Sequence, residues 1–161
     1  MYVTIPIGEA VAAIRAMGVL PAAVTGVTGR GSSVFASVNV HELPGVAGAI
    51  RAAARFAGPF EARLDDRGVA GRTWRLELRV SHPVLRFDLS SFVTDAVRVQ
   101  LANAPAGIAT VASEDGATVV LVDLDRAVEA VPALVAGLGG LRPRIDSAAL
   151  GEQVHVVASL R

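Results

Sequence analysis

The feature that most constrains this chain is a unit of strand, helix and hairpin, spelled out between Thr118 and Arg161 and repeated upstream. Residues 118–124 alternate as a strand, and residues 126–138 carry an Ala/Val/Leu helical stripe with Asp125 as the expected N-cap. Pro132 should kink that helix, because proline lacks the N–H and crowds the preceding turn. Gly139 and Gly140 end it, and a hairpin closes the chain through residues 154–160. One copy of so small a unit cannot bury its own apolar face, so copies must cover one another.

Taken from the beginning, Val3, Ile5 and Ile7 alternate with Thr4 and Pro6 as a short strand, and Pro6 favours an edge. A helix over residues 8–17 follows, with Val11 and Ile14 on its apolar side and Pro21 beyond its end. Residues 23–28 and 33–40 flank a Gly29–Ser32 turn as a hairpin. Pro44 opens a second helix reaching Phe56, which Gly58 and Pro59 stop. The next hairpin joins residues 60–64 to residues 69–80 around Asp65, Asp66, Arg67 and Gly68. Its second strand sets Trp74, Leu76, Leu78 and Val80 inward and Arg75, Glu77 and Arg79 outward, giving one dry and one wet face.

Ser81, His82 and Pro83 mark the expected boundary between two halves, residues 1–81 and 82–161. The second half restarts with a strand over residues 84–89 and a helix capped by Ser90 or Ser91, carrying Phe92, Val93, Ala96, Val97 and Leu101. Residues 97–101 also alternate as a strand would. A hairpin of residues 108–112 and 117–124 then turns at Glu114, Asp115 and Gly116.

Two internal alignments support duplication. A shift of 120 brings Glu9-Ala10-Val11 onto Glu129-Ala130-Val131 and Val34, Ala36, Val38 and Val40 onto Val154, Val156, Ala158 and Leu160. A shift of 82 to 84 relates the halves, bringing Val3, Ile5 and Ile7 onto Leu85, Phe87 and Leu89. The expectation is an α+β fold of two β-α-β-β-α-β-β halves related by a pseudo-twofold, mainly antiparallel, with four helices. Val11 and Val131, and Val34 and Val154, should then occupy equivalent core positions.

Composition removes several kinds of chemistry. There is no Cys, which excludes thiolate nucleophiles, disulfides and zinc-thiolate sites. All 15 basic residues are Arg, so Schiff-base chemistry and the P-loop lysine are excluded too. Formal charge is +0, so no global field steers the chain to nucleic acid or an anionic membrane. The first residues lack a basic, long apolar leader, and no apolar run is long enough to span a bilayer, which suggests a cytoplasmic protein.

No motif assembles a catalytic, cofactor or metal site. The Gly26–Ser33 stretch is glycine-rich, yet a phosphate cradle must feed a helix N-terminus and this one feeds a strand. His41, His82 and His155 lack metal-ligand spacing. Ser81, His82 and Asp88 supply triad letters without a nucleophile elbow. The remaining candidates for an interaction surface are Arg15, Arg51 and Arg55 on helices and Arg75 and Arg79 on the wet strand face.

At the level of pattern, residues 38–43 running into the 44–56 helix and the 60–80 hairpin resemble the module of DNA sliding clamps, which implies a ring associated with DNA. Residues 119–160 equally resemble tubular lipid-binding proteins, which implies an apolar ligand. The functional expectation is a non-enzymatic binding or assembly module, self-associating or holding a lipid-like molecule. The alternatives are a clamp-like ring and an enzyme whose site draws on dispersed Arg, His and Asp.

Overall fold

The computed structural model describes residues 1–130 and 141–161. It is a mixed α+β fold in which every strand pairing is antiparallel. The strands are β1 (Tyr2–Pro6), β2 (Val24–Arg30), β3 (Ser33–Val38), β4 (Phe60–Ala70), β5 (Thr73–Ser81), β6 (Ala109–Glu114), β7 (Ala117–Asp123), β8 (Pro143–Leu150) and β9 (Gln153–Leu160). The helices are α1 (Ile7–Ala16), α2 (Gly48–Ala57), α3 (Thr94–Leu101) and α4 (Leu124–Glu129), and a 3-10 turn spans Val40–Glu42.

Six strands form one sheet in the order β2-β3-β4-β5-β7-β6, and three form a second in the order β1-β9-β8. Four strands of the larger sheet come from residues 1–81 and two from residues 82–161. Pro6 does end an edge strand, since β1 pairs only with β9. At the β6–β7 turn Asp115 and Gly116 both have positive φ, the mirror-image turn whose twist matches a two-residue hairpin.

Alternation in β5 sets the sidedness of the large sheet. Val34, Leu64 and Leu78 line up across β3, β4 and β5 on the inner face. Two different layers cover that face. At one end Val38, Phe60 and Val80 pack with Ala54 of α2 and Ala96 of α3. At the other, Val34, Leu76 and Trp74 pack with Leu150 and Val154 of the small sheet. The outer face of β3, β4 and β5 carries Phe35, Arg63, Asp65, Arg75, Glu77 and Arg79.

Several boundaries differ from those expected. Asp65 to Gly68 do not turn the chain: β4 continues through them with a bulge between Asp66 and Val69, and the reversal comes at Gly71 and Arg72. Asp66 is the reason. One of its oxygens accepts from Gly68 N (2.7 Å) and Trp74 Nε1 (2.9 Å), and the other accepts from Leu150 N (2.7 Å) of the small sheet. A polar run suited to a turn is thus spent on tying two sheets together.

α1 ends where expected, with Met17 as its C-cap, and Gly18 at φ +74 turns the chain before Pro21. α2 starts at Gly48 and not Pro44, since Gly45 at φ +82 interrupts the approach. α3 begins at Thr94 and not at Ser90 or Ser91. The cap of α4 is Asp123, which accepts from the amides of Asp125 (3.0 Å) and Arg126 (3.1 Å). Asp125 instead forms an ion pair with Arg72, whose Nη1 also donates to Ile145 O. The expected continuation of that helix to residue 138, the Pro132 kink, the Gly139–Gly140 stop and the Val131 core position lie outside the described residues. The largest departure concerns residues 84–89, which form no strand.

Candidate interaction surface

Residues 82–87 form a closed knuckle between β5 and α3. The amide of His82 donates to Phe87 O (2.7 Å), that of Arg86 to His82 O (3.2 Å) and that of Leu89 to Val80 O (2.7 Å), with a bridge between Ser81 and Asp88 at the neck. His82 organises the interior. Its Nδ1 accepts from the amides of Val84 (3.2 Å) and Leu85 (2.9 Å), which leaves Nε2 to donate to Ala57 O (2.8 Å) at the end of α2. The ring also meets Phe60 edge-on, with centroids 5.3 Å apart.

Below the neck a buried polar chain fixes the knuckle to the sheet. Asp88 accepts from Ser90 N (2.8 Å) and Ser90 Oγ (2.5 Å); Ser90 Oγ in turn accepts from Val80 N (2.9 Å). Thr118 Oγ1 donates to Ser90 O (2.6 Å) and meets Thr94 Oγ1 at 2.8 Å. The Ser90 hydroxyl and amide hold the Asp88 carboxyl below its ordinary pKa against a smaller opposing effect of burial.

With its backbone turned inward, the knuckle turns its apolar side chains outward. Val84 is 78% exposed, Leu85 55% and Phe87 57%, and Phe56, next to the Ala57 carbonyl that holds His82, is 90% exposed. Arg86 sits among them at φ +55, a left-handed conformation that costs a side-chain-bearing residue about 1 kcal/mol. Pro83 at the knuckle's base joins Pro59, Phe35, Ser37, Glu61, Thr28 and Arg30 around an open groove on the outer sheet face, of about 280 Å³.

Two guanidinium groups, Arg30 and Arg63, lie 5.7 Å from the Phe35 ring centroid. Arg63 also donates to Asp65 (2.7 Å), which accepts from Ser33 Oγ (2.5 Å). Burial pushes the Asp65 carboxyl up, but the Ser33 and Arg63 hydrogen bonds and the charges of Arg63 and Arg67 outweigh it, and its pKa is lowered. Arg67 and Arg79 both pair with Glu77, whose pKa falls chiefly through the Arg67 hydrogen bond.

The five arginines singled out from the sequence do not converge. Arg75 pairs with Glu114 (2.6 Å) and Arg79 with Glu77 (2.7 Å) on the outer sheet face. Arg15 donates to Val24 O (2.9 Å), and Arg51 to Leu43 O (3.3 Å) and Val46 O (3.4 Å). Arg55 is exposed on α2. His82 and Asp88 do come close in the fold, yet both imidazole nitrogens are occupied by backbone and Asp88 serves Ser90, so no triad forms. His41 lies against Glu42 (3.6 Å), and His155 stacks on Tyr2. Among the described residues no group of three His, Asp or Glu side chains is arranged to hold a metal, and no helix is long and apolar enough to cross a membrane.

The sequence signal that could have found the knuckle is His82-Pro83 followed by apolar residues, where Pro83 forbids a ladder N–H at the outset of the expected strand. No protein-family model, curated protein or solved structure matches the chain.

Proposed function

We propose that the chain is a non-enzymatic binding or assembly module that works through the knuckle at residues 82–87. The carrying observation is the combination of a hydrogen-bonded backbone with outward Val84, Leu85 and Phe87, with exposed Phe56 preceding the Ala57 whose carbonyl meets His82. Adjacent exposed apolar side chains of this size characterise interaction sites. A loop already ordered loses little conformational entropy on docking, which favours affinity. The partner is a second copy or another protein. A photo-crosslinking residue at position 85 should give one discrete adduct, and the same residue at exposed Glu9 should not. Equal diffuse labelling at both positions would sink this reading.

A clamp-like ring is the second reading, motivated by the fourfold recurrence of one helix followed by one hairpin: α1-β2-β3, α2-β4-β5, α3-β6-β7 and α4-β8-β9. Duplication of the chain belongs with it as a proposal. Val34 and Val154 share one apolar cluster, which supports equivalence, whereas β3 lies in the six-stranded sheet and β9, its counterpart under the shift of 120, in the three-stranded one. Light scattering that found monomer alone would remove the ring. The lipid-binding version rests on apolar composition, and organic extraction followed by mass spectrometry tests it.

A further inference from the structure

We propose that the groove beside the knuckle receives an extended acidic, apolar-containing segment of a protein partner, with Arg30 taking its carboxylate. This rests on the docking role of the knuckle and adds a ligand chemistry to it. Three observations carry it.

The first is continuity. Pro83 belongs both to the knuckle and to the groove wall, so one bound segment could cross from Phe35 and Pro59 onto the exposed apolar side chains. The second is charge. Across the outer sheet face Arg63, Arg67, Arg75 and Arg79 are each paired with a carboxylate, Arg67 and Arg79 sharing Glu77. Arg30 lines the groove and Arg86 lies within the knuckle; neither has an ion-pair partner among the described residues, and both are exposed. The Arg30 guanidinium lies 5.7 Å from the Phe35 ring centroid, a cation–π contact that limits its rotamers while its side chain stays exposed.

The third is shape and polarity. Glu61 stands in the same groove, so a continuous anionic surface such as a phospholipid headgroup layer would meet a like charge there. A peptide can place its acid at Arg30 and an apolar residue beside Pro59 and Pro83. Concavity favours the same choice, because a flat surface would leave the groove unfilled.

The test is selection of a random 12-residue displayed peptide library on the immobilised full chain. Enriched peptides should combine Asp or Glu with apolar residues, and their affinity should fall about tenfold or more in Arg30→Glu, with a smaller loss in Arg30→Gln. Phe35→Ser should weaken the same peptides. Enrichment without an acidic bias, or peptides indifferent to Arg30→Glu, would overturn the assignment. Sedimentation with phosphatidylserine-containing vesicles, in the absence of any acidic peptide enrichment, would overturn it in favour of a membrane. Should Phe87→Ser abolish peptide binding while Arg30→Glu leaves it intact, the knuckle reading stands and the groove assignment falls.

Discussion

Two tight reversals at opposite ends of the large sheet's inner face have opposite fates. The Gly151 turn between β8 and β9 is driven against the β2–β3 hairpin so closely that a Cβ at Gly29 would collide with the Gly151 carbonyl, and one at Gly151 with the Gly31 carbonyl. The 82–87 knuckle, also closed by backbone hydrogen bonds, touches the fold through His82 at Ala57 and Phe60 and displays Val84, Leu85 and Phe87 to solvent. Side-chain size makes the difference. Where the turn residues lack a Cβ, backbone packs on backbone and the turn becomes part of the core; where they are bulky and outward, the turn becomes a surface.

The hardest way to break this contrast is to give the glycine contact side chains. Gly151→Val should destabilise the fold by about 3 kcal/mol or more in urea unfolding, since the clash is with backbone that has nowhere to move. Retained stability would mean that the two turns separate easily. Asp66→Ala should cost about 2–4 kcal/mol by the same measurement, because three donors in two sheets lose one carboxylate. The glycine turn should loosen with it, as Leu150 is one of those donors.

At the knuckle the expected losses are smaller and local. His82→Ala should cost about 1–2 kcal/mol and speed amide exchange at Val84 and Leu85, leaving exchange around Gly151 unchanged. Global acceleration would show that the knuckle is part of the core. The smallest effect is a pH dependence. Asp88 has a lowered folded pKa, so its contribution is present above the unfolded carboxylate value and is lost as pH falls through the folded one. Amide protection at the knuckle neck, taken relative to intrinsic exchange, should therefore fall below about pH 4, and Asp88→Asn should abolish that pH dependence.

Much of the fold was legible where alternation and turn chemistry agree. Trp74 to Val80, the Gly31 hairpin and the Asp115–Gly116 turn each combine a period-2 pattern with residues that accept positive φ. Reading failed where a polar run had a distant partner. Asp66 looks like any turn acid, and only the approach of Leu150 from 84 residues away makes it a bridge. The same limit hid the site. Val84, Leu85 and Phe87 satisfy a strand pattern, and nothing local reveals that His82 will take the amides that a neighbouring strand would have taken. Arg30 drew no notice because the groove that isolates it is built from β2, β3 and the base of the knuckle together.

The central claim is that the knuckle's apolar side chains serve contact and not folding. Its most direct test is the Val84→Ser/Leu85→Ser/Phe87→Ser triple variant, compared with the parent chain for urea stability and for crosslinked adduct formation from a probe at exposed Phe56. The account predicts stability within about 1 kcal/mol of the parent, because these side chains are already in water, together with loss of the adduct. A drop of several kcal/mol, or an undiminished adduct, would contradict it.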